Sequence, residues 1–288
     1  MNYFKLPRSK IQLSFAGAIA LFIFFSIPIQ VQAQSNRPAT SKQQPQQKPP
    51  SEQKNKPADR FVPPTPPDYS SPGQREGAAS RGGCPRMEKP LTALVPVTKA
   101  ASGEKQQGKL AMAAESVWSV TAAEHPTFLF YVPYSPPSLK SVEFALQDRD
   151  DNDVYRTAVK LPATSGIVSL NLPATSKPLL IGKPYHWFFK IYCNPQTTSV
   201  PIFVEGWVQR VTPSPTLANQ LKTASPQQRI NLYATNGLWH DALTSLAELR
   251  LVNPNDANLK ANWNKLLQSV GLADIASKPI VNCCTPAN

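Results

Sequence analysis

Tyr185-His186-Trp187-Phe188-Phe189-Lys190-Ile191-Tyr192-Cys193 is nine residues long and holds five aromatic rings. On an extended chain successive side chains point to opposite faces, so Tyr185, Trp187, Phe189, Ile191 and Cys193 share one face. That face is a core face. The other face carries His186, Phe188, Lys190 and Tyr192, which is unusually aromatic for a solvated surface. Two readings compete for it. A ligand-binding platform would expose Phe188 and Tyr192, with Trp207 as a further contact, because a large exposed apolar patch marks a binding site. Alternatively another element of the same chain covers these rings, and buried aromatics supply core energy more often than they bind. The second reading is favoured, with the C-terminal helices as the cover.

Outward from this stretch, short apolar runs of period two are separated by Pro, Gly and Asp/Asn clusters. Strands are expected near Leu91–Val97, Thr127–Tyr134, Leu139–Gln147, Val154–Leu161, Gly166–Leu172, Tyr185–Cys193 and Val200–Val211. Seven short strands at this spacing predict an antiparallel immunoglobulin- or fibronectin-like β-sandwich over residues 84–212. Leu180-Ile181-Gly182-Lys183-Pro184-Tyr185 resembles the tyrosine corner of such sandwiches, which makes Tyr185 a fold-holding residue. Between two strands lies Asp148-Arg149-Asp150-Asp151-Asn152-Asp153. Asp148, Asp150 and Asn152 form a weak calcium candidate, but the turning Gly and distant Glu of a calcium loop are missing, and a hairpin turn wants the same residues.

From Thr216 the period becomes helical. Helices are expected over Gln227–Thr235, Trp239–Val252 and Ala257–Val270, with Gly237 ending the first and Asn255-Asp256 starting the third. Asn236-Gly237-Leu238-Trp239-His240-Asp241-Ala242, with Leu246, Leu249 and Pro254, resembles half of a tetratricopeptide repeat. No second copy follows, and one repeat makes no peptide groove. Residues 213–288 therefore read as a helical hairpin docked on the sandwich and ending in a Cys-Cys pair. The fold class is mixed β plus α.

Toward the N-terminus, residues 34–83 contain ten Pro and one strongly apolar pair, Phe61-Val62. Such a segment buries too little surface to offset its backbone entropy and reads as a disordered Pro/Gln/Lys-rich linker. Before it, Lys5, Arg8 and Lys10 precede an uncharged stretch from Ile11 to Asn36, with Pro28 and then Val31-Gln32-Ala33. This is the form of a signal peptide, residues 1–33, cleaved after Ala33, for a periplasmic or secreted protein. An uncleaved anchor in the inner membrane is the alternative.

Of the net charge of +12, residues 1–33 carry +3, residues 34–110 carry +7 and residues 111–288 only +2. A folded nucleic-acid reader concentrates its charge on the folded body, so nucleic acid is excluded as a partner. The basic linker suits an anionic wall or membrane surface. Cys84, Cys193, Cys283 and Cys284 are even in number, and in an exported chain this implies disulfides. A bridge between neighbours crosslinks nothing distant, so Cys283 and Cys284 are each expected to pair with one of Cys84 and Cys193, in either order.

Serine-hydrolase elbows, HExxH helices and phosphate-binding Gly loops are absent, and no cofactor is implied. His240 and Asp241 are adjacent on a helix, where side chains diverge by about 100 degrees. No catalytic residue is assigned.

With these segments in place the chain resembles a cyanobacterial family known only as domain of unknown function 928. The likeness covers most of Cys84 to Cys284. It rests on Leu91-Thr92-Ala93-Leu94-Val95-Pro96, Phe130-Tyr131-Val132-Pro133-Tyr134, Gly182-Lys183-Pro184-Tyr185, Glu205-Gly206-Trp207-Val208-Gln209-Arg210 and the closing Cys283-Cys284. It implies an exported location and a shared core, and no reaction. The expectation is an exported, non-catalytic interaction or structural module of the cell envelope. A glycan- or peptide-binding module and an uncharacterised hydrolase are the alternatives, and the partner is an envelope protein or glycan.

Overall fold

The computed structural model describes residues 61–65, 72–77, 84–99, 115–136, 139–193 and 200–284. The expected signal segment and cleavage site, and most of the expected linker, lie outside the described residues. In chain order the elements are β1 (Thr92–Ala93), β2 (Thr98–Lys99), β3 (Glu115–Ser116), β4 (Trp118–Thr121), β5 (Thr127–Val132), β6 (Ser141–Gln147) and β7 (Asp153–Ala158). They continue with β8 (Gly166–Asn171), β9 (Pro184–Tyr192), β10 (Ile202–Arg210), α1 (Pro215–Thr223), α2 (Pro226–Thr235), α3 (Trp239–Val252) and α4 (Ala257–Gln268).

The strands form a three-stranded sheet in the order β1-β5-β8, a five-stranded sheet in the order β4-β10-β9-β6-β7, and a β2-β3 ribbon. The two larger sheets meet through aromatic rings. Phe130 stacks on Phe189 at 4.3 Å between centroids, and Phe128 lies 5.0 Å from Phe144. Trp187, fully buried, fits because position 206 is glycine: a Cβ there would come within 2.5 Å of the Trp187 ring and of Val117. The predicted inner face of β9 is the observed one.

One pairing corrects the antiparallel expectation. β4 runs parallel to β10, with Trp207 opposite Trp118 and Arg210 opposite Thr121, so the larger sheet is mixed. All four residues of β4 are buried. Leu217 of α1 packs with Trp118 and Val120 on one side, and α3 meets Ser119 and Thr121 on the other. A strand covered on both faces has no apolar-polar alternation to read.

The linker expectation is corrected in part. Phe61 is buried edge-on against Trp239 at 4.9 Å, and the Val62 N–H donates to the Ala234 carbonyl. Residues 72–77 form a seam between the two sheets: Gln74 and Glu205 exchange backbone hydrogen bonds on the β10 side, while Gly77 donates to Leu91 and Ala93 to Arg75 on the β1 side. Composition reflects side chains alone. Here edge strands supply backbone partners, and one aromatic ring finds a core to enter.

The disulfide expectation is also corrected. Cys84 pairs with Cys193, and Cys283 pairs with Cys284. The tail is led along β8, where Ile167 exchanges backbone hydrogen bonds with Pro279 and Val281. That path belongs to the layer opposite β9, at whose end Cys193 lies. Cys284 adopts a φ of +77° in the neighbouring bridge.

All three expected helices are present, with α1 in addition. Pro226 opens α2 behind a Ser225–Gln228 capping box, Gly237 follows it at φ +75°, and Asp256 caps α4. α3 packs on β4 and β5, and its Trp239 indole donates to the Leu94 carbonyl at 2.7 Å. α3 therefore docks on β4 and β5, and α1 packs beside Trp118 and Trp207 at one end of the outer face. Phe188 and Tyr192 lie away from it, farther along β9, which corrects the expected cover of those two rings.

Candidate functional site

Alternation along β9 leaves His186, Phe188, Lys190 and Tyr192 half-buried on the outer face of the five-stranded sheet. β10 adds Phe203, Glu205 and Trp207 to that face, and β6 adds Glu143. The rings form a row: Trp207 stacks on His186 at 4.3 Å, His186 lies 4.1 Å from Phe188, and the Lys190 ammonium sits 4.9 Å over the Phe188 ring. Beside the row, Arg156 pairs with both Glu143 and Asp153, and Lys190 lies 3.8 Å from Glu143. Burial and the nearby Glu143 hold the Tyr192 hydroxyl above its ordinary range.

The three aromatics singled out from sequence are thus on one face but differ in freedom. Trp207 is fastened, because its indole donates to the Pro72 carbonyl at 3.1 Å and its ring packs beside the Trp118–Leu217 cluster. Phe188 and Tyr192 lie farther along β9, next to the Glu143–Arg156–Lys190 charges. Phe203, Glu143 and Arg156 were not singled out. The period-two pattern of β10 would have found Phe203, whereas Arg156 joins this face by standing opposite Ala145, itself opposite Phe188, and the bulge at Leu146/Gln147 brings Asp153 to the same face.

The run Asp148–Asp153 forms the expected hairpin turn between β6 and β7. The Asp148 carboxylate accepts the N–H groups of Asp150 and Asn152 at 2.9 and 3.0 Å, along with the Asn152 side-chain amide. These bonds hold its carboxyl below the ordinary range. No group of three or more His, Cys, Asp or Glu able to hold a metal occurs among the described residues.

At the start of α3 the structure joins residues that lie far apart in the sequence. His240 is buried, with Nδ1 3.1 Å from the Thr127 carbonyl and Nε2 2.8 Å from Ser119 Oγ. A carbonyl only accepts, so Nδ1 carries the proton and Nε2 accepts from the Ser119 hydroxyl. Burial pushes the His240 pKa down to about 4. Ser119 is equally sealed, so this serine-histidine pair braces α3 against β4 and β5. Tyr185 has a similar fastening role: its hydroxyl accepts the Leu180 N–H at 3.0 Å.

A family model described as Domain of Unknown Function (DUF928) matches residues 76–280. Those limits fall in the seam, at Glu76, and in the tail that pairs with β8, at Ile280. No curated protein matches the chain.

Proposed function

We propose, from the premise that this chain belongs to the family described as Domain of Unknown Function (DUF928), that it is an exported, non-catalytic binding module. Its contact surface is the outer face of β9, and its ligand is a glycan of the cell envelope. The supporting observation is the row of half-buried rings ending at Phe188 and Tyr192, beside Glu143, Arg156 and Lys190. An aromatic face is electron-rich and attracts polarised C–H groups such as those of a sugar ring. Carboxylate and guanidinium groups at its margin suit sugar hydroxyls, and they fix orientation as polar groups do in other ligand sites. We read the two main layers as immunoglobulin- or fibronectin-like, on the strength of the Tyr185–Leu180 bond. The α2–α3 pair is read as a single tetratricopeptide-like hairpin, on Gly237 and the buried Ala242.

Export rests on the basic n-region, the apolar run and the small-residue site at Val31-Gln32-Ala33. The Cys84–Cys193 disulfide is consistent with an oxidising compartment, and no helix among the described residues is long and apolar enough to cross a membrane. A peptide ligand is the second reading, favoured by β7 at the end of the five-stranded order, where a strand could be added. Affinity electrophoresis of the exported protein through gels containing purified envelope polysaccharides tests the first reading. Retardation by at least one polysaccharide is expected. Unchanged mobility in all of them, with retention on an extended peptide, would transfer the surface to the second.

A further inference from the structure

The four cysteines form two disulfides of opposite character. Cys84–Cys193 joins residues 109 positions apart, and Cys193 is buried at the core. Such a bridge closes a long loop, so it restricts the unfolded chain and serves the fold. Cys283–Cys284 joins neighbours and restricts nothing distant. Both of its residues are half-buried, next to the exposed Asn282.

The tail is seated without the help of that second bridge. Ile167 of β8 exchanges backbone hydrogen bonds with Pro279 and Val281. Position 166 is glycine, where a Cβ would come within 2.7 Å of the Pro279 carbonyl oxygen. Cys284 then lines a narrow cleft with Tyr155 and Thr157 of β7 and Leu170 of β8. Its φ of +77° is a left-handed conformation that a residue with a Cβ rarely adopts, and an open pair need not keep it. Cys283 Sγ lies 3.8 Å from the Lys160 carbonyl oxygen. A disulfide sulfur has no proton to give, whereas a thiol at that place donates to this carbonyl. The open form therefore has a hydrogen-bond partner in place, and the closed form holds a backbone conformation that opening releases.

We propose that Cys283–Cys284 is a thiol–disulfide exchange site whose partner is a protein dithiol of the thioredoxin class. The site is separate from the outer face of β9 and does not depend on it. One thiolate of the partner attacks Cys284 Sγ, and a mixed disulfide forms as the Cys283–Cys284 bond breaks. Cys283 leaves as a thiolate, takes up a proton and donates to the Lys160 carbonyl. The partner's second thiolate attacks its own sulfur in the mixed disulfide, and Cys284 leaves and is protonated in turn. Two electrons and the two thiol protons pass to this chain, and the partner ends as a disulfide. The reverse sequence closes the pair again.

Reduced thioredoxin added to the purified protein tests this, with alkylation and peptide mapping of the four cysteines over time. Cys283 and Cys284 are expected to be alkylated at least about tenfold faster than Cys84 and Cys193. A thioredoxin lacking its second active-site cysteine is expected to stay linked to Cys284. Cys283→Ser/Cys284→Ser should capture no thioredoxin and keep Tm within about 2 °C of the oxidised wild type. Equal opening of the two bridges, a pair that stays closed, no capture or capture on another cysteine, or a larger fall in Tm in the double variant would overturn the assignment.

Discussion

The two faces of β9 share a backbone and have opposite physical fates. On the inner face Trp187 and Phe189 are fully buried between two sheets, in contact with Phe128 and Phe130. On the outer face Phe188 and Tyr192 stay half-buried, though they are as aromatic as their neighbours. Burial removes apolar surface from water at about 25 cal/mol per Å², so the inner rings hold the fold together. The outer rings gain only part of that, and their composition asks for another explanation. A contact surface supplies one.

The largest expected effect contrasts the faces directly. Trp187→Ala should cost about 4 kcal/mol, because it removes a buried indole and leaves a cavity. Phe188→Ala should cost less than about 1 kcal/mol, as substitutions outside the core usually do. Urea unfolding of both variants checks this, and equal losses would erase the distinction between faces. Slightly smaller is Phe61→Ala, which should destabilise by about 3 kcal/mol if the inner core extends to the ring packed on Trp239. A midpoint equal to wild type would return Phe61 to the linker.

The third contrast is in pH. An unfolded histidine takes up a proton near pH 6.5, whereas sealed His240 resists until about pH 4. The native state therefore binds fewer protons in that window, and stability falls as pH drops from 6.5 to 4, by about 3 kcal/mol. Asp241 acts with the opposite sign, since burial raises its pKa and the native state takes up its proton first. Comparing wild type with His240→Gln isolates the histidine: the variant should lose less stability between pH 7 and pH 4.5. Parallel melting curves across that range would contradict a sealed neutral imidazole.

Legibility followed how each element is covered. Strands with one buried face announced themselves by alternation, as β6, β9 and β10 did. β4 did not, because α1 and α3 cover both of its faces. The helices were legible through Gly237 and Asp256, yet where they dock was not, since docking depends on Ser119 and Thr121 in that hidden strand. The seam at residues 72–77 is held mainly by backbone hydrogen bonds, which leave little mark on composition. The cysteine pairing was misread for a related reason: the strand-like path of the tail along β8 decides which sulfurs meet. Of the site, Phe188, Tyr192 and Trp207 were legible on one face. Their charged margin needed the tertiary structure.

The measurement that bears most directly on the outer face is a paired one on Phe188→Ala/Tyr192→Ala: affinity for the retarding polysaccharide together with Tm. A contact surface predicts affinity lowered at least tenfold with Tm within about 3 °C of wild type. Full affinity, or a fall in Tm as large as that of Trp187→Ala, would mean that these rings serve the fold and not a ligand.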